Sequence, residues 1–291
     1  MTSLRGEVDW ATAVLTDAGV PSPRIDALLL AGHVLGADRS EMERRLLLGG
    51  EIDDAAARRL AEIVADRTGR VPLQHLTGTA PFRRLELSVG PGVFVPRPET
   101  EGVIDLVLAA LPERERPVVV DLCTGSGALA LAVADEAPTA EVVAVELSDL
   151  AVAWAARNVE STGLPVRLVA ADATADPRTV PGLADLVGAV DVVVSNPPYI
   201  PVGMVPVEPE VADHDPDIAL YGGSEDGLAI PLAVAATAAR LLRPGGLLAM
   251  EHAESQGASL PRALAATGEW GDVADHPDLS GRPRTTVARR R

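Results

Sequence analysis

Val118-Val119-Val120-Asp121-Leu122-Cys123-Thr124-Gly125-Ser126-Gly127-Ala128-Leu129-Ala130 is the stretch on which the fold turns. Residues 117–122 form a short apolar run that reads as a strand, and residues 128–135 read as the helix that follows. The glycines between them let the backbone approach a ligand. Free amides at the helix N-terminus attract a carboxylate or a phosphate. Taken alone, Gly125 to Ala130 also fits the dinucleotide pattern G-x-G-x-x-G/A, and a tight strand-to-helix turn without a ligand stays open.

Working outward, strands and helices alternate. Strands are expected at 141–145, 166–170, 190–194, 247–251, 270–274 and 285–288. Helices are expected at 103–111, at 149–160 behind a Ser148 cap, at 228–242 up to Pro244-Gly245-Gly246, and at 256–266. Such alternation implies an α/β fold with a parallel sheet and helices on both faces. Towards the N-terminus the pattern is helical. One helix over 9–18 stops at Gly19. A second opens at Ser22-Pro23 with Ile25, Leu28, Leu29, His33 and Leu35 as its apolar stripe, which makes His33 a core histidine. A third runs over 39–48, and Asp53-Asp54 opens a fourth. Between the two regions, Phe82, Leu85, Leu87, Val89, Val93, Phe94 and Val95 gather around Gly90-Pro91-Gly92 and read as a hairpin. The expected division is a small helical bundle domain over 1–78, a connecting β-hairpin over 79–97 and the α/β domain over 98–291.

Composition narrows the function. Hydrophobic residues make up 47% of the 291, ample for a core, but aromatics only 2%, so packing rests on Leu, Val and Ala. Every one of the 25 basic residues is Arg. The net charge of −17 is uneven: residues 1–85 carry a net of −1 and the remainder −16. An acidic catalytic half matches nucleic acid poorly, because phosphates favour a basic stripe; solubility alone would also account for it. With Cys123 as the single cysteine, neither an intrachain disulfide nor a cysteine metal cluster can form. His75, His214, His252 and His276 show no metal-ligand spacing, so no metal is expected. No signal sequence and no membrane-length apolar run is evident, and the expected location is cytoplasmic.

Two acids sharpen the glycine turn. Glu146 ends the second strand, where a carboxylate can accept hydrogen bonds from both ribose hydroxyls. Asp172 follows the third strand, within reach of an adenine amine, although an acid there is also a common helix cap. S-adenosylmethionine (SAM) needs what these strand ends offer. A nicotinamide cofactor would use the glycines and Glu146 but would leave the fourth strand end, Asn196-Pro197-Pro198-Tyr199, without a purpose.

That tetrapeptide suits methyl transfer to a planar nitrogen. An amide or arylamine nitrogen is a poor nucleophile because its lone pair is delocalised, and acceptors on its N–H groups push it towards a reactive geometry. Asn196 offers a side-chain carbonyl and Pro197 a backbone carbonyl. The prolines fix φ and hold the preceding Asn196 extended, so the loop is stiff. Tyr199 can lie against the planar group, in line with the methyl. Catalysis is then mostly positioning and polarisation, with no dedicated general base. The expected catalytic residues are Asn196, Pro197 and Tyr199. The alternative is a proline-rich turn with Asn196 as a turn residue.

These residues carry a resemblance. The chain resembles the HemK/PrmC family, the glutamine N5-methyltransferases of peptide chain release factors, over nearly its whole length. The shared stretches are Ser22-Pro23-Arg24, Pro72-Leu73-Gln74-His75-Leu76-Thr77-Gly78, Val95-Pro96-Arg97-Pro98-Glu99-Thr100-Glu101, Asp121 to Gly127, Asn196 to Ile200, Ala219-Leu220-Tyr221-Gly222-Gly223 and Glu225-Asp226-Gly227-Leu228. Asn-Pro-Pro-Tyr is also found in adenine and guanine methyltransferases; the Pro-Arg-Pro-Glu-Thr-Glu segment is far more selective. The resemblance implies a Rossmann-like, seven-stranded SAM-dependent methyltransferase fold and a helical N-terminal domain that helps dock the substrate. The implied substrate is the glutamine of the Gly-Gly-Gln loop of class I release factors, and the implied products are N5-methylglutamine and S-adenosylhomocysteine. It implies cofactor contacts at Asp121, Cys123, Thr124, Gly125, Ser126, Gly127, Glu146, Asp172 and Asn196. It implies substrate contacts at Asn196, Pro197, Pro198 and Tyr199, with Phe94 helping to enclose the target side chain; hairpin packing is the other role open to Phe94. Cys123 stands where the family has glycine, so either the backbone there is ordinary or the cofactor sits slightly differently. The runner-up function is a nucleic-acid N-methyltransferase acting on an adenine or guanine exocyclic amine.

Overall fold

The computed structural model describes all 291 residues and falls into two units, Met1–Thr79 with Pro206–His214, and Ala80–Val205 with Asp215–Arg291. The first holds β1 (Thr2–Ser3), α1 (Leu4–Asp17), α2 (Pro23–Leu35), α3 (Arg39–Leu47), β2 (Glu51–Ile52), α4 (Asp54–Thr68) and α5 (Leu73–Thr77). Local chemistry explains the helix starts. Ser3, Asp38 and Asp53 each accept a backbone N–H from the first turn of the helix that follows. Gly36 ends α2 in the left-handed region. Leu4, Leu15, Leu30, Met42 and Leu60 are fully buried between the helices.

The buried face of α2 differs from the expected stripe. Ile25 and His33 are exposed, so His33 is not a core histidine, and the face carries Ala27, Leu28, Leu30, Ala31 and the acid Asp26. The reason lies on α4: the guanidinium of Arg67 donates to Asp26 Oδ2 at 2.8 Å, with both side chains buried. Arg67 also meets Glu210 at 2.8 Å, and Arg70 donates to Glu210 at 2.7 and 3.0 Å. Burial works against an ionised Glu210, but the guanidiniums of Arg70 and Arg67 outweigh it and hold the carboxyl down at about 2. Glu210 lies on the helix Pro209–His214, a segment of the second half of the chain that joins this unit.

The second unit begins at Ala80, within β3 (Thr79–Phe82), and goes on through β4 (Leu85–Ser88), α6 (Glu101–Ala110), β5 (Val118–Leu122), α7 (Ala128–Glu136), β6 (Glu141–Glu146), α8 (Asp149–Thr162), β7 (Val166–Ala170) and β8 (Val190–Ser195). After α9, the Pro209–His214 helix, come α10 (Asp217–Leu220), α11 (Ala229–Leu241), β9 (Leu242–Glu251), α12 (Ser259–Ala266), β10 (Trp270–Pro277) and β11 (Pro283–Arg290). Seven strands form one sheet in the order β10-β11-β9-β8-β5-β6-β7. Alternate residues of the central strands feed two apolar layers. Val120, Leu122 and Val193 pack towards α11 and α12; Val119, Val192 and Val194 pack towards α6 and α7. The sheet is Rossmann-like, but it is not wholly parallel as alternation implied: β11 runs antiparallel to both of its neighbours. The link from β10 to β11 is residues 278–282, long enough for a hairpin and far too short for a parallel crossover.

A second correction concerns the small hairpin. Its turn is Arg83-Arg84 between β3 and β4, with Arg83 at φ 54, and not Gly90-Pro91-Gly92. Those glycines serve a different need. A Cβ on Gly90 would lie 2.5 Å from the Trp154 ring, and one on Gly92 would lie 2.7 Å from Leu150, so they let α8 approach the chain closely. Val93 and Val95 are buried there in irregular backbone.

Candidate active site

After β7 the chain crosses over β6 and β5 to enter β8 on the far side, so β5 and β8 flank the point where the strand order reverses. Ligands of open α/β sheets bind in the crevice beyond the C-terminal ends of such strands. The turn Cys123–Gly127 leaves β5 there, Glu146 ends β6, Asp172 follows β7 and Asn196 follows β8.

Asp121 is fully buried. Its Oδ2 accepts from the Thr124 hydroxyl and from Ala130 N at 3.1 Å, while Oδ1 has no partner. Burial, against those two donors, pushes the carboxyl up to about 7. Gly125 N donates to Glu146 Oε2 at 2.9 Å, and Leu147 N and Ser148 N donate to its Oε1, both at 2.9 Å. One oxygen of Asp172 accepts from the Thr174 backbone N–H at 2.8 Å and from its hydroxyl at 2.7 Å, an Asx-type turn beyond β7.

Cys123 adopts φ 64, so the backbone is left-handed, not ordinary, at the position the resemblance expects to be glycine. A side chain costs about 1 kcal/mol or more there. Burial, then the carboxylates of Glu146 and Asp121, push its thiol far above the usual range, so it stays protonated and is no nucleophile.

The Asn196 side chain is half-buried and makes no hydrogen bond within the chain. Its loop is held from behind. Ile200 exchanges hydrogen bonds with Leu220 O and Gly222 N at 2.8 and 2.9 Å. The Tyr199 carbonyl accepts from Gln256 Nε2 at 2.9 Å, and the Tyr199 hydroxyl donates to Glu251 at 3.3 Å. A Cβ on Gly227 would sit 2.1 Å from that carbonyl, and one on Gly222 would sit 1.9 Å from Gly227 O. The Tyr221-Gly222-Gly223 and Asp226-Gly227 stretches therefore serve as the bed of the Asn196–Tyr199 loop. Phe94 is half-buried, lies outside the apolar cluster of Val89, Val93 and Val95, and faces the Arg97 guanidinium at 5.2 Å.

Sequence reasoning missed several residues that shape this site. Asn158 is buried on α8; it accepts from Ser88 N at 2.7 Å and donates to Ser88 O and Ser126 O at 3.0 and 2.9 Å, tying the glycine turn to β4. Its rarity, one of only two asparagines, was the one available signal. Glu251 and Gln256 gave none, because their partners lie far away in sequence.

The unpaired buried Asp121 oxygen is what an ammonium requires, next to a glycine turn open to a carboxylate and an acid at the β6 end. With the seven-stranded order and its reversed β11, this defines a SAM-dependent methyltransferase. The profile of the PrmC N-terminal domain matches residues 8–78, and that of the methyltransferase small domain matches residues 84–205. A release factor glutamine methyltransferase of Streptomyces coelicolor is 50% identical over all of this chain and 99% of its own. A 4-amino-L-phenylalanine/4-methylamino-L-phenylalanine methyltransferase of Streptomyces pristinaespiralis is 39% identical, over 98% of this chain and 95% of its own. The crystal structure of a Pyrococcus furiosus methyltransferase shares the fold at a TM-score of 0.50 and 20% identity, over 80% of this chain and 98% of its own. The chain belongs to the release factor glutamine methyltransferase family. No helix is long and apolar enough to cross a membrane.

Proposed function

We infer that the protein methylates the side-chain amide nitrogen, N5, of the glutamine in the Gly-Gly-Gln loop of class I peptide chain release factors, in the cytoplasm. The observation that carries this is the 50% identity to the Streptomyces coelicolor enzyme across the entire chain. When bound, SAM supplies an electrophilic methyl on a sulfonium. In our reading, Asp121 takes its ammonium and Cys123 to Gly127 line its amino-acid end. Glu146 exchanges its bond to Gly125 N for the ribose hydroxyls, and Asp172 faces the adenine amine.

Asn196 Oδ1 and the Pro197 carbonyl then accept the two amide hydrogens of the glutamine, weakening the delocalisation that makes the nitrogen inert. Pro198 keeps the loop stiff, Tyr199 supports the amide plane, and Phe94 walls the side chain. The amide nitrogen would gain the methyl that SAM supplies, with S-adenosylhomocysteine as the leaving group, and would give up to solvent the proton then acidified on it. Such polarisation and orientation are worth several orders of magnitude in rate.

A second reading, methylation of a free aromatic amine, is favoured by the Streptomyces pristinaespiralis relative. A nucleobase amine is disfavoured by the net charge of −16 on residues 86–291. One experiment separates all three. Labelled SAM is offered with release factor, 4-aminophenylalanine, RNA and DNA, and the Gly-Gly-Gln peptide is then weighed by mass spectrometry. A gain of one methyl on the glutamine is expected. Label in nucleic acid or in the free amino acid alone would overturn the reading. Asn196→Ala is expected to keep SAM binding and lose turnover.

A further inference from the structure

Glu251 ends β9 beside the catalytic loop. Ser195 pairs with Met250 across the parallel strands, so the next residues along them are Asn196 and Glu251. The Glu251 carboxyl is 1% exposed. One oxygen accepts the Tyr199 hydroxyl at 3.3 Å, and the other is buried without a partner. A carboxyl in that setting is costly to keep, and an apolar residue of similar size would fill the space without the cost. Its presence therefore needs a reason other than packing.

Four groups face it: Tyr199 from the loop, Thr100 and Glu99 from the turn Pro98–Thr100, and Arg284 from β11. The Thr100 hydroxyl is near enough to favour the ionised form, although it too has no partner at hydrogen-bonding geometry. Burial dominates and raises the carboxyl to about 7; Arg284 works against that rise and Glu99 adds to it. Tyr199 is meanwhile gripped at its other end. Gln256 is 2% exposed, donates to the Tyr199 and Asp226 carbonyls at 2.9 and 2.8 Å, and accepts from Ala253 N at 3.0 Å. With its carbonyl fixed, the Tyr199 ring keeps two side-chain torsions. The bond to Glu251 is the hydrogen bond its hydroxyl makes.

We propose that Glu251 is a positioning residue for methyl transfer: its carboxylate holds the Tyr199 hydroxyl and so fixes the ring against which the acceptor nitrogen is aligned. This rests on the reading of Tyr199 given under Proposed function. A carboxylate accepts a hydrogen bond more strongly than the neutral acid does. The grip is therefore present above about pH 7, where Glu251 is ionised, and weakens as the pH falls through 7.

The test uses the full-length protein labelled with 13C at the tyrosine ring carbon that bears the hydroxyl. The chain has only two tyrosines, and Tyr199→Phe assigns the signals. In the wild type the Tyr199 signal is expected to shift with a midpoint near pH 7, and in Glu251→Gln to stay flat. Glu251→Gln leaves a neutral acceptor for the Tyr199 hydroxyl and is expected to lower kcat on release factor about tenfold, the loss of charge assistance in that hydrogen bond. Its KM for SAM should stay within about twofold, which also reports that the variant is folded, and it should lose the kcat limb near pH 7. Glu251→Gln combined with Tyr199→Phe should be no slower than Tyr199→Phe alone. A Tyr199 signal that is the same in wild type and Glu251→Gln, or additive effects of the two substitutions, would overturn the proposal. A titrating signal in a protein that fails to methylate release factor would instead overturn the substrate reading and leave the grip standing.

Discussion

Gly227→Ala probes how the Asn196–Tyr199 loop is held. Gly227 has φ +71, and a Cβ there would meet the Tyr199 carbonyl oxygen at 2.1 Å, Gln256 Nε2 at 2.9 Å and Pro201 N at 3.0 Å. The left-handed backbone alone costs a residue with a side chain about 1–2 kcal/mol. The overlap is with backbone, so no rotamer change relieves it. To reach ordinary contact near 3.4 Å the carbonyl must retreat by about 1.3 Å, and overpacking of that kind adds roughly 1–3 kcal/mol. Gln256 would lose its bond to the displaced carbonyl, about 1 kcal/mol more. The local cost comes to roughly 3–6 kcal/mol.

The consequence for rate is larger than for stability, because a shift near 1 Å at reacting groups costs on the order of a hundredfold. Gly163 supplies the control: it has φ +66 with nothing within 4 Å of an added Cβ, so Gly163→Ala meets the backbone penalty alone. Denaturant titration and steady-state kinetics on release factor are the assays. Gly227→Ala is expected to lose about a hundredfold in kcat with SAM affinity within a few fold, since the atoms nearest an added Cβ belong to Tyr199, Gln256 and Pro201. Gly163→Ala is expected to keep wild-type kcat. If the two variants share one kcat, the bed of the loop does not set its position and the reasoning fails.

Other outcomes follow from the same geometry. Asp121 sits near 7 in the free protein, and an ammonium would hold it ionised, so SAM should bind more weakly as the pH falls. The expected loss is roughly eightfold between pH 7.5 and 6 by calorimetry, and Asp121→Asn should bind weakly with a flat profile. At Cys123, φ 64 accepts glycine and resists a β-branched side chain. Cys123→Gly should therefore keep activity and lie within about 1 kcal/mol of wild type, whereas Cys123→Val should be destabilised by about 2 kcal/mol and bind SAM poorly. Loss of activity in Cys123→Gly would restore a role for the thiol. Glu210 is depressed to about 2 from an ordinary value of 4.5, so its contribution is present above pH 4.5 and lost as the pH falls towards 2. Glu210→Ala should weaken the helical unit by about 3 kcal/mol at neutral pH, read as faster hydrogen exchange in α2 and α4 of the full chain.

The central strands β5, β6 and β8 were legible because they are valine-rich runs that end at a glycine turn, an acid or an Asn-Pro step. The direction of β11 was not, because period-two alternation is the same read either way and only the short link from β10 fixes it. The hairpin turn escaped notice because Arg83-Arg84 carries no turn chemistry. Arg83 holds φ 54 with its backbone N–H on Glu101 and its guanidinium on Glu136 and Asp105, partners that no local rule supplies. The face of α2 was misread for a similar reason: Asp26 is buried on account of Arg67, which lies on another helix. In the candidate site, the strand-end residues could be proposed because an acid, a glycine turn or an Asn-Pro step stands there in the sequence. Those that grip the loop act on backbone carbonyls brought close only by folding.

That distribution bears on how the reaction is driven. The acceptors proposed for Asn196 and Pro197 are borne by a loop whose next residues are pinned by Leu220, Gly222, Gln256 and, at the Tyr199 ring, Glu251. Its geometry is therefore set before a substrate arrives, and substrate binding need not order it. Preorganised acceptors act most strongly where charge develops, on the nitrogen as it begins to share its lone pair. Damage to the supports should then appear mainly in kcat, while damage to the turn after β5 should appear mainly in SAM affinity. A support variant that raised KM for the release factor and left kcat untouched would mean that the loop is ordered by its substrate instead.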